Sequence, residues 1–262
     1  MRVRHEFERL ALVASQSDRA QQAARSIADA APWVPLEEAD AVVVLGGDGF
    51  MLHILHQMLD DGHRLPAYGM NLGTVGFLMN RFVRRADLLA RVNKARSFAV
   101  DPLRMMATTQ KGKTHEFYAI NEVSLLRETR QTAKIEVTVN EKVRIDELFC
   151  DGILVATPAG STAYNLSANG PILPLDSKML ALTPISPFRP RRWRGAILPD
   201  FSRIKLRVLD PEKRPVAAVA DQKELRDIAQ VELVIARDRE LTLLFDPGHS
   251  LDERIVGEQF IA

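Results

Sequence analysis

The sequence predicts an α/β domain built on a parallel sheet, followed by an all-β domain of two packed sheets. Three observations predict it. Over roughly the first 90 residues, short apolar runs alternate with stretches of helical spacing, the pattern of a sheet covered on both sides. After about Val100 the helical spacing stops, and short runs rich in Val, Ile, Leu and Thr follow one another between turn residues. Helical spacing then returns at the end, where Ile255, Val256 and Phe260 lie on one face of a segment from Asp252 to Phe260 that folds back onto the first domain.

The elements follow in order. Leu10–Ala14 reads as a buried strand, and Ser15 or Ser17 caps a helix from Asp18 to Ala30. Trp33 and Val34 read as a short second strand and Val42–Leu45 as a third. Phe50–Leu59 is a helix, because Met51, Leu52, Leu55, Met58 and Leu59 recur at helical spacing. Ala67–Met70 is a fourth strand, and Ala86–Val92 another helix. In the second half, β segments are expected at 103–110, 114–128, 133–139, 142–149, 153–156, 204–209, 215–220 and 231–236. The stretch from Thr183 to Trp193 holds three prolines and three arginines and reads as an exposed loop. The domains are therefore expected at residues 1–99 plus 238–262, and at 100–237.

Composition narrows the function. A chain of 262 residues with 46% hydrophobic and 26% charged residues is globular and large enough for two domains. The formal net charge of +1 gives no reason to expect a nucleic-acid or membrane partner. Cys150 is the single cysteine, so the chain makes no internal disulfide and no thiolate metal cluster, which fits a reducing, cytoplasmic setting. Met1–Arg9 is charged, unlike a signal peptide, and no apolar run approaches the roughly 18 residues of a membrane span.

Four clusters carry possible chemistry. The strand at 42–45 runs straight into Gly46, Gly47, Asp48 and Gly49, ahead of the helix. Bare backbone at a strand's carboxyl end and a helix's amino end suits a phosphate. The same residues also suit an ordinary strand-to-helix turn. The loop has neither the Lys-Ser/Thr ending of a P-loop nor the spacing of a dinucleotide fingerprint. Asn71–Phe77 places two glycines and an amide at the end of the next strand, close to the first loop in a parallel sheet, or forms another turn. Asn121 and Glu122 are polar groups in an apolar strand, and on burial alone they read as a structural hydrogen bond. The richest cluster runs from Asp151 to Ser167: an acid, a short apolar strand, then glycine and hydroxyl residues together. A turn does not need Ser, Thr, Tyr and Asn in one block, whereas such a block suits a sugar or a base edge.

Taken in order, Gly-Gly-Asp-Gly, Asn-Leu-Gly-x-x-Gly-Phe, Asn-Glu and Asp-Gly-x-x-x-x-Thr-Pro-x-Gly-Ser-Thr-Ala-Tyr resemble the NAD kinase family over residues 10–167. Asp221-Gln222 and the tail from Leu251 to Arg254 and on to Gln259-Phe260 are similar to that family too. The first motif alone is shared with 6-phosphofructokinases and with diacylglycerol and sphingosine kinases. The resemblance implies a Rossmann-like parallel α/β domain, a β-sandwich domain, and a homodimer or homotetramer. It implies transfer of the γ-phosphoryl of ATP to the 2′-hydroxyl of the adenosine ribose of NAD. Asp48 is then the general base, because a sugar hydroxyl must lose its proton as it attacks. A divalent cation, Mg²⁺, would bridge the phosphates without a dedicated protein cage.

Residue by residue, the resemblance assigns Gly46, Gly47 and Gly49 to the triphosphate and Phe77 to a wall of the adenosine pocket. Asn121 and Glu122 grip the adenosine moiety. Asp151 and Ala163 meet the nicotinamide or adenine edges. Thr162, Ala163, Tyr164, Asn165, Leu166 and Ser167 form the NAD-contacting block, and Gln222 adds a contact. His53 stands where many relatives have a basic residue near phosphate, although a lone histidine is also a common structural residue. Three positions depart from the pattern. Phe50 stands where Asn or Thr is usual, Ala159 lies among the contact positions in place of Thr, and Thr74-Val75 replaces His-Leu. A lipid kinase or a non-catalytic nucleotide sensor would use the same loops, but the hydroxyl block favours a polar nucleotide and the carboxylate favours chemistry.

Overall fold

The computed structural model describes residues 6–74, 76–84, 87–191 and 193–248. The chain divides into two compact units, one ending at Val100 and resuming at Glu240, the other running from Asp101 to Arg239. The helix expected over Asp252–Phe260, with the tail motif around it, lies outside the described residues.

The first unit contains β1 (Leu10–Ala14), α1 (Asp18–Ser26), β2 (Ala41–Gly46), α2 (Asp48–Asp61), β3 (Ala67–Asn71), β4 (Asn80–Arg81), α3 (Leu88–Asn93) and β5 (Arg96–Val100). The chain returns to it for a last strand, Leu241–Phe245. Ser17 is the residue that caps α1, its hydroxyl accepting the Ala20 N–H at 3.3 Å. Strands β1, β2 and β3 run parallel. The last strand lies parallel beside the start of β3, and β4 beside its end.

The sheet is not wholly parallel, as the alternation predicted, but mixed. β5 runs antiparallel to the last strand, Val100 opposite Leu241. The second unit is inserted between these two strands, which therefore pair as the arms of a hairpin do. Trp33 makes only an isolated bridge to Leu10, not a strand. Both faces of the sheet are covered, which is why β2 is apolar at every position. Val43, Leu45, Tyr68 and Met70 pack with Ala20 and Ala23 of α1 and with Leu88 and Val92 of α3. Val42 and Val44, pointing the other way, are equally buried, and α2 packs against β2.

The second unit contains β6 (Leu103–Thr109), β7 (Thr114–Ala119), β8 (Glu122–Arg127), β9 (Ala133–Val139), β10 (Lys142–Cys150), β11 (Gly152–Ala156), α4 (Tyr164–Ser167), β12 (Met179–Ile185), β13 (Ala196–Pro199), β14 (Ile204–Val208), β15 (Val216–Ala220), β16 (Lys223–Leu225) and β17 (Ile228–Ile235). They form two six-stranded antiparallel sheets, ordered β10-β9-β14-β17-β6-β7 and β13-β12-β11-β8-β15-β16. One core joins them: Met105, Val137, Leu206 and Val231 from the first sheet meet Val123, Ile153, Leu182 and Ala218 from the second. This is the β-sandwich. On the other face of the second sheet, Leu154, Ala156 and Ala181 are covered by Leu173 and Tyr164.

Part of the expected exposed loop is strand. Thr183, Pro184 and Ile185 belong to β12. Pro184 is tolerated because pairing with β13 stops at Leu182, so β12 has no neighbour on that side and no donor is missed there. Among the described residues, no helix is long and apolar enough to cross a membrane.

Leu206 is fully buried at the centre of the sandwich core. Leu206→Ala is expected to lower the unfolding free energy by about 2–5 kcal/mol in a urea melt. A loss below about 1 kcal/mol would contradict the face-to-face packing.

Candidate functional site

In the first unit, β2 ends at Gly46 and α2 begins at Asp48, so Gly46–Gly49 joins a strand's carboxyl end to a helix's amino end. Residues 71–74 and 76–78 lie directly against it, as the parallel sheet led one to expect. The Leu72 N–H donates to the Gly46 carbonyl at 2.7 Å. Gly47 and Gly73 meet backbone to backbone: a Cβ on Gly73 would stand 3.3 Å from the Gly47 Cα. Gly49 faces open space and is exposed.

Asp48 is half-buried, and both its carboxylate oxygens are engaged. The Phe77 N–H donates to one at 2.7 Å and the Leu78 N–H to the other at 2.8 Å. Gly76 makes this possible. Its φ of +83° reverses the chain, and a Cβ there would fall 2.4 Å from the Asn71 Nδ2. Asn71 braces the same turn by accepting the Gly73 N–H at 2.8 Å. An ionised carboxylate offers about four acceptor positions, so two such bonds orient Asp48 without filling it. His53 is exposed one helical turn along, its ring 6.3 Å from that of Phe50. Phe77 is half-buried.

In the second unit a similar arrangement surrounds Asn121 and Glu122. The Asp221 carboxylate, in the turn between β15 and β16, accepts the N–H groups of Ile120, Asn121 and Glu122 at 2.7, 3.0 and 3.1 Å. Because these three donors point at a side chain, the apolar run expected as one strand over 114–128 is split into β7 and β8. Thr157 ties the break to the next loop. Its hydroxyl donates to the Ile120 carbonyl at 2.6 Å and accepts the Gly160 N–H at 3.1 Å. Gly160 sits so close that a Cβ would lie 2.1 Å from the Asn121 carbonyl oxygen.

The side chains of the pair behave differently from their backbone. Asn121 Oδ1 and Glu122 Oε2 are buried and have no hydrogen-bond partner. The structural hydrogen bond expected from burial is thus present in the backbone and absent at these two atoms. Burial first, and the charge of Asp221 second, push the Glu122 carboxyl up to about 7, against a smaller opposing effect of the Tyr164 N–H. Burial of this kind keeps a carboxyl protonated closer to neutrality.

The other expected site residues divide. Ala159 is buried, and Thr162, Ala163, Tyr164 and Leu166 are half-buried, while Ser167 and Gln222 are exposed. Asn165 is fully buried, and its side chain braces the loop itself. Its Nδ2 donates to the Ser161 and Pro171 carbonyls at 3.0 and 2.8 Å, and its Oδ1 accepts the Thr183 hydroxyl at 2.7 Å. Asp151 is ion-paired with Arg127 at 2.6 Å, a residue that the sequence reading did not single out. Asp221 was noted there only as the neighbour of Gln222; a lone aspartate between two strands gives no sign of the three N–H groups it holds. The Cys150 thiol is buried and pushed up to about 12, far from a reactive thiolate. No group of three or more His, Cys, Asp or Glu residues able to hold a metal occurs among the described residues.

Residues 120–243 match the family model of the ATP-NAD kinase C-terminal domain. The chain is 60% identical over 254 residues to an NAD kinase of Zymomonas mobilis, covering 97% of this chain and 98% of that one. The chain belongs to the NAD kinase family. An NAD kinase of Rhizorhabdus wittichii is 62% identical over the same share of both chains. Among solved structures, the fold is similar to that of a yeast NADH kinase complexed with NADH, at TM-score 0.79 and 19% identity over 97% of this chain and 87% of that one. It is also similar to that of an NAD kinase from Archaeoglobus fulgidus in complex with ATP, at TM-score 0.75 and 22% identity over 97% and 100%. The reaction of this NAD kinase is the phosphorylation of NAD by ATP.

Glu122 gives a pH signature. Its folded value of about 7 lies above the ordinary 4.5, so its contribution to stability is complete below pH 4.5 and is lost as pH rises through about 7. Relative to Glu122→Gln, the unmodified protein should lose stability across that window in thermal melts. Parallel pH profiles for the two proteins would contradict the buried, protonated carboxyl.

Proposed function

We propose that Asp48 is the general base of this NAD kinase, and that the glycine loop around it receives the phosphates of ATP. The observation that carries the reading is the half-buried carboxylate of Asp48, oriented by two backbone N–H groups at the amino end of α2. The 2′-hydroxyl oxygen of the adenosine ribose attacks the γ-phosphorus, and its proton passes to Asp48. The bond from the γ-phosphorus to the β–γ bridging oxygen breaks, leaving NADP and ADP. Alignment and charge neutralisation do most of the work in such a transfer. Gly46, Gly47 and Gly49 supply close backbone approach, and His53, exposed on the same helix, adds a contact to phosphate.

The residues fit a divalent cation, Mg²⁺, carried by the donor's phosphates: the loop offers backbone N–H groups and the single carboxylate of Asp48, not a protein cage. Such a cation, when bound, neutralises charge on the phosphate oxygens.

The second unit binds NAD in this reading. Asn121 Oδ1 and Glu122 Oε2 are buried acceptors lacking donors, and an adenosine brings donors in its exocyclic amine and sugar hydroxyls. Thr162, Ala163, Tyr164, Leu166, Ser167, Asp151 and Gln222 supply the remaining contacts of that unit in this reading. Ala159 is buried, and Asn165 holds the loop in shape. The same unit makes a homodimer or homotetramer. Val143 and Ile197 are exposed apolar side chains on the edge strands β10 and β13, and Phe188 and Phe201 are exposed as well. The protein works in the cytoplasm, consistent with its lone reduced cysteine.

Incubation with NAD, ATP and Mg²⁺ should yield NADP. Asp48→Asn should lower kcat by about 10²–10⁴-fold with little change in NAD affinity, measured by single-turnover kinetics and calorimetry. Near-normal turnover would remove Asp48 from the role of base. Light scattering should report a dimer or tetramer, with Ile197→Lys shifting it toward monomer; a monomer at every concentration would contradict the assembly.

A further inference from the structure

The N–H groups of Phe77 and Leu78 orient Asp48 only if the chain carrying them is itself held. Leu78 lies two residues before β4, and β4 is only two residues long, too short to fix its own position by ladder bonds. Beside it lies a buried polar network. Asn80 is fully buried, and three of its bonds tie β4 to the rest of the sheet. Its Nδ2 donates to the Gly69 carbonyl at 3.1 Å and to the Leu244 carbonyl at 2.8 Å, and its Oδ1 accepts the Asp246 N–H at 2.8 Å.

The Asp246 carboxylate continues the chain of bonds. It accepts the Tyr68 hydroxyl at 2.6 Å and the Arg91 Nε at 3.1 Å on one oxygen, and Arg91 Nη2 on the other. The same Nη2 donates to the Arg81 carbonyl of β4 at 2.9 Å. Arg91 and Asp246 are 17% and 13% exposed, so this forked pair is shielded from water and is stronger and more directional than a surface pair. The network thus grips both residues of β4, Asn80 from within and Arg81 through its carbonyl.

We infer that Asn80, Arg91 and Asp246 are positioning residues for phosphoryl transfer, holding β4 so that the Phe77 and Leu78 N–H groups keep the Asp48 carboxylate in its working orientation. The inference rests on the reading of Asp48 as base. None of the three touches a substrate in this account. Their effect passes through the backbone from Leu78 to Asn80, where fully buried Met79 leaves little slack. Small misplacements of a reacting group cost a great deal: about 1 Å is enough for a hundredfold loss in rate.

The test is a double-mutant cycle on the full-length enzyme. Arg91→Lys keeps the charge but loses the fork, and Tyr68→Phe removes a single hydrogen bond from Asp246; the second keeps the test open if the first folds poorly. Each is made alone and in the Asp48→Asn background, with kcat and the KM for NAD measured. Expected are losses in kcat of about 10–100-fold for Arg91→Lys and about 3–10-fold for Tyr68→Phe, with KM for NAD within about twofold. In the Asp48→Asn background neither should slow the enzyme further, because the group they position is gone. Full kcat in both single variants, or equal losses in both backgrounds, overturns the inference while leaving Asp48 as base. Near-normal turnover of Asp48→Asn alone overturns both.

Discussion

Two backbone N–H groups, from Phe77 and Leu78, held against the Asp48 carboxylate are the interaction on which the arrangement of the first unit's loops depends. A carboxylate at the mouth of a helix has several rotamers and many aqueous partners. Charge-assisted bonds to rigid backbone donors select one arrangement. The surroundings of Asp48 follow from that requirement. Gly76 adopts a positive φ that turns the donors inward, Gly73 lacks the side chain that would crowd the Gly47 backbone, and β4 is anchored although it is only two residues long.

The second unit solves a related problem with the same device. Asp221 draws three consecutive N–H groups out of the strand ladder, so the chain bends at Asn121 without leaving backbone donors unmet. The bend has a cost at the side chains. Buried acceptors without donors are unfavourable by about 1–3 kcal/mol each, and both Asn121 and Glu122 carry one. Glu122 relieves part of its strain by holding its proton to about pH 7.

The two-part architecture was legible because burial leaves a simple mark: β2 is apolar at every position, and the sandwich strands β6 and β9 alternate. A serine cap at Ser15 or Ser17 and α2 as a helix followed from local chemistry, and the structure selects Ser17. The encounter of the 46–49 loop with residues 71–74 and 76–78 followed from parallel strand order. What could not be read were features made by distant partners. Asp221 lies about a hundred residues from the N–H groups it holds, so the strand over 114–128 looked unbroken. Asp246 and Asn80 meet across a still longer separation, and Pro184 suggested a break because the missing neighbour of β12 cannot be seen in a single sequence. The antiparallel β5 was hidden for the same reason: its partner comes after the whole second unit.

A structure of the protein with NAD and a non-transferable ATP analogue tests the central claim most directly. The account predicts an Asp48 carboxylate oxygen within hydrogen-bond reach of the ribose 2′-hydroxyl, about 2.6–3.2 Å, with the Phe77 and Leu78 N–H bonds still in place. A carboxylate turned away from the ribose, or one that has released both N–H groups to reach it, would contradict the account.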